Sequence, residues 1–501
     1  MFQYRARLPS GLPPTTPPAL RSLPLRRLVR EPVPNRTERD RILAGLTTKS
    51  SGPAKLDHVT VTQIVDPRQA YWEIAAPGVV VPLDRIEKME AGSVFHDRFS
   101  HVVSAEAFRE QMVFRERIRG KIDIYENHPV EVKTTGPMPE DIARDRPSYL
   151  AQLLFYCALV EKESGHIVVI SRSGPEVRGF DLLRAFRVEV TDVDRVWEEA
   201  KRRRDLLLDA WGRRDPSRLP GCGWFSAGCK FEGRCDCTSG ASDDDRAMLS
   251  VAKVTHDPEE ELRLKRLLLD NGEAAWKHED SFAADTVPPL KLRDFVFLRK
   301  NLIDRLDDLE RGPDGKTPGE EEEATPAVTT GGAEKLQEIS GSATFSGIRK
   351  RVLREAGASY VHLRRGVIDD PWVSVSGGTP LLFKMTKLRR PVDRDELVKM
   401  FPDEIAQLGV SASLLGARRG RLVLYYERVE DEKQKLLVYD VDFRDTKPFE
   451  DGAVGIAEAW AAAWKARDPS LLPACPSWSV ERCRLGERCA CRTAERLDPA
   501  P

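Results

Sequence analysis

The sequence predicts a two-domain α/β protein built by tandem duplication. Its length, an internal repeat and two matching cysteine clusters predict the two domains and the duplication, and the strand and helix motifs of the first copy point to the α/β class. At 501 residues, the chain exceeds the roughly 250–300 residues at which a single hydrophobic core stops growing. The stretch Ala210-Trp-Gly-Arg-Arg-Asp-Pro-Ser-Arg-Leu-Pro-Gly-Cys222 returns as Ala463-Trp-Lys-Ala-Arg-Asp-Pro-Ser-Leu-Leu-Pro-Ala-Cys475. Cys222, Cys229, Cys235 and Cys237 have six, five and one residues between them, and Cys475, Cys483, Cys489 and Cys491 have seven, five and one.

Two further islands keep the same order. Pro147-Ser-Tyr-Leu-Ala-Gln-Leu153 matches Pro402-Asp-Glu-Ile-Ala-Gln-Leu408, and Gly120-Lys-Ile-Asp123 matches Gly366-Val-Ile-Asp369. Gln152 precedes Cys222 by 70 positions and Gln407 precedes Cys475 by 68. Islands held in one order at near-constant spacing mark a duplication. Residues 1–55, rich in Pro and Arg, read as a poorly ordered arm. Residues 56–240 form the first domain and 336–501 the second. The intervening 241–335 begins with helix-like apolar spacing in LRLKRLLLDNGEAAW and FVFLRKNLIDRLDDL. It continues as an acidic flexible linker through Glu320 to Glu323 and Thr329-Thr-Gly-Gly.

Composition narrows the function. With 41% hydrophobic and 32% charged residues the chain can pack cores beneath a charged surface. Lys and Arg total 79 against 80 Asp and Glu, a net charge of −1, so nucleic acid would have to be gripped by a local patch. No apolar run is long enough for a bilayer, and the first thirty residues lack an apolar signal core. A cytoplasmic setting is expected. There, four close thiols read as metal ligands rather than disulfides, while the isolated Cys157 reads as a buried structural thiol. Arg115, Arg117, Arg119 and the run Lys201 to Arg204 could line a phosphate track or form a solvated charged face.

The stretch from Arg119 to Gly136 reads as two short strands around a polar turn. Alternation from Val130 to Lys133 puts Glu131 and Lys133 on one face, and Asp123 on the preceding strand can reach it. Two carboxylates beside an ammonium suit Mg2+ or Mn2+, with the lysine able to position or help activate a water.

These residues resemble the PD-(D/E)XK nuclease superfamily, in its RecB-like branch, which includes the CRISPR-associated iron–sulfur exonucleases and the AddB nuclease domain. Gly120 to Asp123 followed by Glu131-Val-Lys133 is similar to the family's metal-binding core. Gly92-Ser-Val-Phe-His96 is similar to its upstream helix, and Gln152-Leu-Leu-Phe-Tyr156 to its downstream helix. Thr60 to Tyr71 resembles the opening segment, and Cys222, Cys229 and Cys235 the closing cysteines. The likeness spans residues 58–240.

It implies two restriction-endonuclease-like domains, each a mixed central sheet flanked by helices and ending in a four-cysteine site. It implies a DNA nuclease, an exonuclease on single-stranded ends, with Asp123, Glu131 and His96 on Mg2+ or Mn2+. Lys133 would assist the attacking water, while Gln152 and Tyr156 would bind and orient DNA. It implies a 4Fe–4S cluster at each four-cysteine site, where Zn2+ is chemically as good. A helicase or another recombination, repair or CRISPR-adaptation protein would be the partner; the chain has no P-loop of its own. Where the family carries its first cysteine this chain has Asp66, and Cys237 restores the count of four.

The second copy reads as degenerate. Asp369 aligns with Asp123, but Leu382-Phe-Lys384 replaces Glu131-Val-Lys133, and an alkyl group ligates no hard cation. Ser411 replaces Tyr156, and Gly347-Ile-Arg-Lys-Arg351 stands for Gly92 to His96 without the histidine. The alternative for the whole chain is a non-catalytic DNA-binding or partner-binding scaffold with two four-cysteine sites.

Overall fold

The computed structural model describes residues 20–48, 56–76, 80–171, 182–221, 231, 235, 243–272, 287–296, 298–311, 343 and 345–473. The chain is mixed α/β with two mixed sheets. It divides into two compact units: Ala44–Glu279 with Glu322–Arg351, and Met1–Leu43 with Asp280–Glu321 and Val352–Pro501.

In the first unit, β1 (Arg109–Arg115) and β2 (Ile118–Tyr125) form a hairpin. They are followed by β3 (Pro129–Thr135), β4 (Ser164–Ser171), β5 (Leu183–Val190) and β6 (Ala252–His256). β3 and β4 run parallel, which requires a crossover, supplied by a helix. Its longest helices are α1 (Leu83–Val103), α2 (Pro147–Leu159), α3 (Val193–Arg213) and α4 (Pro258–Gly272). α2 and α3 share a core with Ile122, Ile167 and Val169. Phe95 and Phe99 of α1 and Leu264 and Leu268 of α4 share another with Val132, Val168 and Ile170. The sheet is therefore covered on both faces, and its central strand β3 is buried from Pro129 through Val132. In α2 the apolar run is buried almost throughout, with Gln152 as its polar interruption.

One edge of β2 is shared. Strand Val59–Thr60 pairs with Ile118 and Arg119, while β3 pairs with Ile124 and Tyr125. The stretch of β2 between them has no strand partner on that edge among the described residues, so side chains from both faces of the sheet can meet there.

The second unit repeats the plan with β7 (Ser359–Arg365), β8 (Ile368–Ser376), β9 (Thr379–Thr386), β10 (Arg419–Tyr426) and β11 (Leu436–Asp442). Here α5 (Pro402–Leu414) makes the crossover between parallel β9 and β10, and α6 (Lys447–Ala466) follows the last strand. α3 and α6 each end on an arginine in the left-handed region, Arg214 and Arg467. Gly165 of β4 and Gly420 of β10 occupy one place in the two plans. A Cβ on Gly165 would lie 2.9 Å from Leu153 Cδ1, and one on Gly420 would overlap Leu408. Gly420→Ala is expected to destabilise the second unit by about 1–3 kcal/mol, the usual cost of overpacking, read as a lowered urea midpoint.

Several boundaries differ from those the sequence predicts. Residues 20–48 are not a loose arm: Leu20, Leu25 and Val29 are buried in the second unit's core, and Val33–Pro34 pairs with β11. A few apolar residues inside a Pro- and Arg-rich stretch suffice for this. Residues 252–272, expected in the connecting segment, supply β6 and α4 to the first unit.

Residues 287–311, also expected there, open the second repeat. Leu290 bridges Ile368 in parallel as Val59 pairs with Ile118. Arg299 donates to the carbonyls of Leu472 (2.8 Å) and Ser470 (3.4 Å), as Arg68 does to those of Leu219 (2.7 Å) and Ser217 (3.4 Å). The helix over residues 345–355, expected in the second domain, begins in the first unit. Gly347 there lies so close to Glu90 that a Cβ would come within 2.7 Å of its Cβ. The acidic run Glu320 to Glu323 lies outside the described residues.

Candidate active site

β2 carries Asp123, β3 carries Glu131 and Lys133, α1 carries His96, and α2 carries Gln152 and Tyr156. All six meet at the open edge of β2. Asp123 Oδ2 accepts the Val132 N–H at 2.8 Å, so a carboxylate replaces the ladder bond where β2 and β3 part. His96 Nε2 lies 2.9 Å from the same oxygen. Glu131 is 1% exposed, and its Oε1 is ion-paired with Lys133. Lys133 Nζ donates to Gln152 Oε1 at 3.0 Å, and Gln152 Nε2 donates to the Tyr156 hydroxyl at 3.3 Å. That hydroxyl donates to the Lys121 carbonyl at 2.8 Å, taking up part of the unpaired edge.

Burial, and then the charge of Asp123, push the Glu131 carboxyl up to about 7 despite the Lys133 ammonium. Burial opposes charge on Lys133 and His96 as well, but the neighbouring carboxylates outweigh it and both are raised. Lys133 is thus held as a cation. Burial keeps the Tyr156 phenol well above its usual range, so it acts as a neutral hydrogen-bonding group.

An imidazole and two carboxylates make a donor set suited to a hard divalent cation. Two donor atoms are also left over. Glu131 Oε2 is buried without a hydrogen-bond partner, and His96 Nε2, close as it is to Asp123, is buried without an aligned one. Such an arrangement costs free energy unless something compensates. Among the described residues, however, no three His, Cys, Asp or Glu side chains already stand at ligating geometry, because Lys133 and the Val132 N–H engage the acids.

A pH dependence follows from Glu131. Its pKa is raised on folding, so the stability it contributes is complete below its ordinary 4.5 and is lost as pH rises through about 7. In chelator-treated protein, the unfolding temperature of wild type relative to Glu131→Gln is expected to fall across that window. A constant difference would contradict the assignment.

Tyr149 was not anticipated. Its ring centroid lies 5.6 Å from Lys133 Nζ, and its place three residues before Gln152 on α2, one helical turn away, was the available signal. Phe155 is core, packed beneath Arg203. Cys157 is buried, and burial pushes its thiol up to about 12. Among the arginines considered as a phosphate track, Arg115 donates to the Ala158 carbonyl and Arg117 to that of Asp57. Arg204 pairs with Asp205, and Lys201 with Glu198. These groups are largely spent on the protein itself. Cys235 is half-buried; Cys222, Cys229, Cys237, Cys475, Cys483, Cys489 and Cys491 lie outside the described residues.

In the second unit, Leu382 and Lys384 face Leu422 and Leu424 of β10, as Glu131 and Lys133 face Ile167 and Val169 of β4. The Asp369 match does not survive. Ile368 makes the first pair of its hairpin, with Arg365, as Ile118 does with Arg115. Gly366 sits in the turn at φ +60°, whereas Gly120 lies within β2. Counting from the pairs Ile124 with Val130 and Val375 with Pro380, Asp123 stands opposite Glu131 and Val373 opposite Leu382. Asp369 instead pairs with His362 and Arg364, and Lys384 pairs with Glu404. Both acids of the first unit are therefore replaced by apolar residues.

No family model and no curated protein matches this chain. A solved structure titled "Crystal structure of SSO0001" aligns at 15% identity over 40% of this chain and 93% of that one, with a TM-score of 0.27. At that TM-score the likeness says nothing about function.

Proposed function

We propose that the first unit is a divalent-metal-dependent deoxyribonuclease of the PD-(D/E)XK type, in its RecB-like branch, and that the second is a catalytically inactive copy. Both would have the restriction-endonuclease-like fold. One observation carries the reading: Asp123, Glu131, His96 and Lys133 converge, with two donor atoms of that cluster buried and lacking an aligned partner. Asp123, Glu131 and His96 would hold Mg2+ or Mn2+. When bound, such an ion supplies neutralisation of phosphate charge and a bound water that gives up its proton more readily than bulk water.

The chain's own residues do the rest. Lys133 is held as a cation between Glu131 and Gln152, so its part is to attract and align the phosphate and the attacking water rather than to take a proton. Gln152 holds the lysine in line, and Tyr156 holds Gln152. The substrate class is DNA, with single-stranded ends the preferred form. Each four-cysteine set is proposed to hold a 4Fe–4S cluster or Zn2+, and a helicase or other repair protein would supply unwound strand.

The test is incubation of the purified full chain with labelled single- and double-stranded DNA and Mn2+. Cleavage is the expected result. Binding without cleavage under any divalent metal would favour the scaffold reading, which Leu382 and the Lys384–Glu404 pair already favour for the second unit.

A further inference from the structure

The second unit's hairpin contains a register shift that the first unit's lacks. In the first unit β1 and β2 stay in register from Arg115–Ile118 to Arg109–Ile124. In the second, Asp370 pairs with Leu363 but Val373 pairs with Val361, so Pro371 and Trp372 together oppose the single residue His362. This is a β-bulge, a device that re-aims a side chain, and it accommodates a proline within a strand. The bulge is anchored from inside. Buried Asp370 accepts the Trp372 N–H at 3.0 Å through one oxygen and the Leu292 N–H at 3.0 Å through the other.

The bulge turns Trp372 outward. Trp372 is 52% exposed, and the neighbouring Tyr360 is 49% exposed. Their centroids lie 5.5 Å apart at an interplanar angle of 88°, so two perpendicular, half-exposed rings make an L-shaped notch. On β7, His362 and Arg364 flank it and share the single carboxylate of Asp369. β8 and β9 are antiparallel, so the turn after β9 lies at the end of the sheet where β8 begins. Lys387 and Arg389 in that turn are exposed and have no carboxylate partner among the described residues.

We propose that the Trp372–Tyr360 notch is a stacking platform for a base of single-stranded nucleic acid, with the neighbouring cations tracking its backbone. Stacking tolerates any base because every base has a π-face, and cations beside exposed aromatics are how sequence-tolerant single-strand binders work. The surrounding charges disfavour a purely apolar partner, and the excess of Arg364 and His362 over Asp369 suits a polyanion. The proposal rests on the nucleic-acid reading of the chain but not on cleavage. The second unit, lacking counterparts of Asp123 and Glu131, would bind a strand without cutting it.

The experiment is fluorescence anisotropy of labelled oligothymidylate with the full chain in chelator, where nothing can be cut. Trp372→Ala is expected to weaken binding about tenfold, within the range for loss of one stacked base, and Tyr360→Ala by less. Trp372→Phe should restore most of the affinity while removing the strand-induced quench of tryptophan emission. Since Trp372 is exposed, unchanged unfolding temperatures will show that the variants fold. Equal affinity for wild type and Trp372→Ala would overturn the proposal even if the chain cleaves DNA. Weakened binding in a chain that never cleaves would uphold it while the nuclease reading fails. A Trp372→Ala change confined to oligomeric state would also overturn it.

Discussion

Glu131→Gln, Asp123→Asn and Lys133→Met are each expected to lower Mn2+-dependent DNA cleavage by about 10³-fold or more, equivalent to about 4 kcal/mol of lost transition-state stabilisation. Each replacement keeps shape and removes one charge. In Asp123→Asn, the side-chain carbonyl can still accept the Val132 N–H that Asp123 takes at 2.8 Å, so the edge of β3 stays capped while the anionic ligand is gone. In Glu131→Gln, the buried carboxylate whose Oε2 has no hydrogen-bond partner loses its charge. Lys133→Met removes the ammonium joined to both Glu131 and Gln152. The control is Lys384→Met in the second unit, which should leave the rate unchanged because Leu382 and Val373 stand where the acids would be. Single-turnover cleavage measures these outcomes. Glu131→Gln within tenfold of wild type would sink the nuclease reading.

Arg203→Met should be the most destabilising single change in the first unit. This side chain of α3 is 1% exposed, and all three guanidinium nitrogens are used. Nε donates to Glu199 at 2.6 Å, Nη1 to the carbonyls of Val65 (2.9 Å) and Ile64 (3.3 Å), and Nη2 is paired with buried Asp245. Breaking a buried pair from one side costs about 3–5 kcal/mol, because the other charge stays desolvated. The double change Arg203→Met with Asp245→Leu should recover much of that loss, since apolar replacement of a buried pair is often neutral or better. The second unit supports this: counting eleven back from Arg214 and Arg467 puts buried Ile456 of α6 where α3 has Arg203. Urea denaturation of the two variants and wild type tests it, and a loss below about 1 kcal/mol for Arg203→Met would place it among ordinary substitutions.

The candidate site was unevenly legible. The Glu-Val-Lys alternation, Gln152 as the polar break in an apolar helix, and Leu382 in place of Glu131 could all be read along the chain, because each depends on neighbours a few positions away. The Gly120 to Asp123 match with Gly366 to Asp369 misled, since shared letters fell on a strand in one unit and on a turn in the other. The reverse also happened. Val59 and Leu290 open the two repeats with equivalent backbone pairing, yet their surroundings share little beyond Arg68 and Arg299, so the start of the second repeat was invisible to comparison of letters.

What the amino-acid order settled alone is that the chain is doubled and that only its first half keeps both acids near a lysine. Those are facts of composition and local period. Which residue stands opposite Glu131 or Leu382 was decided by strand register: Asp123 follows Ile118 by five positions as Val373 follows Ile368, so Asp369 falls four positions short of the place its letters suggest. The meeting of His96 with Asp123 was likewise a tertiary matter. It needs β2 and β3 to part, so that a helix on one side of the sheet can reach the carboxylates that a helix on the other side supports.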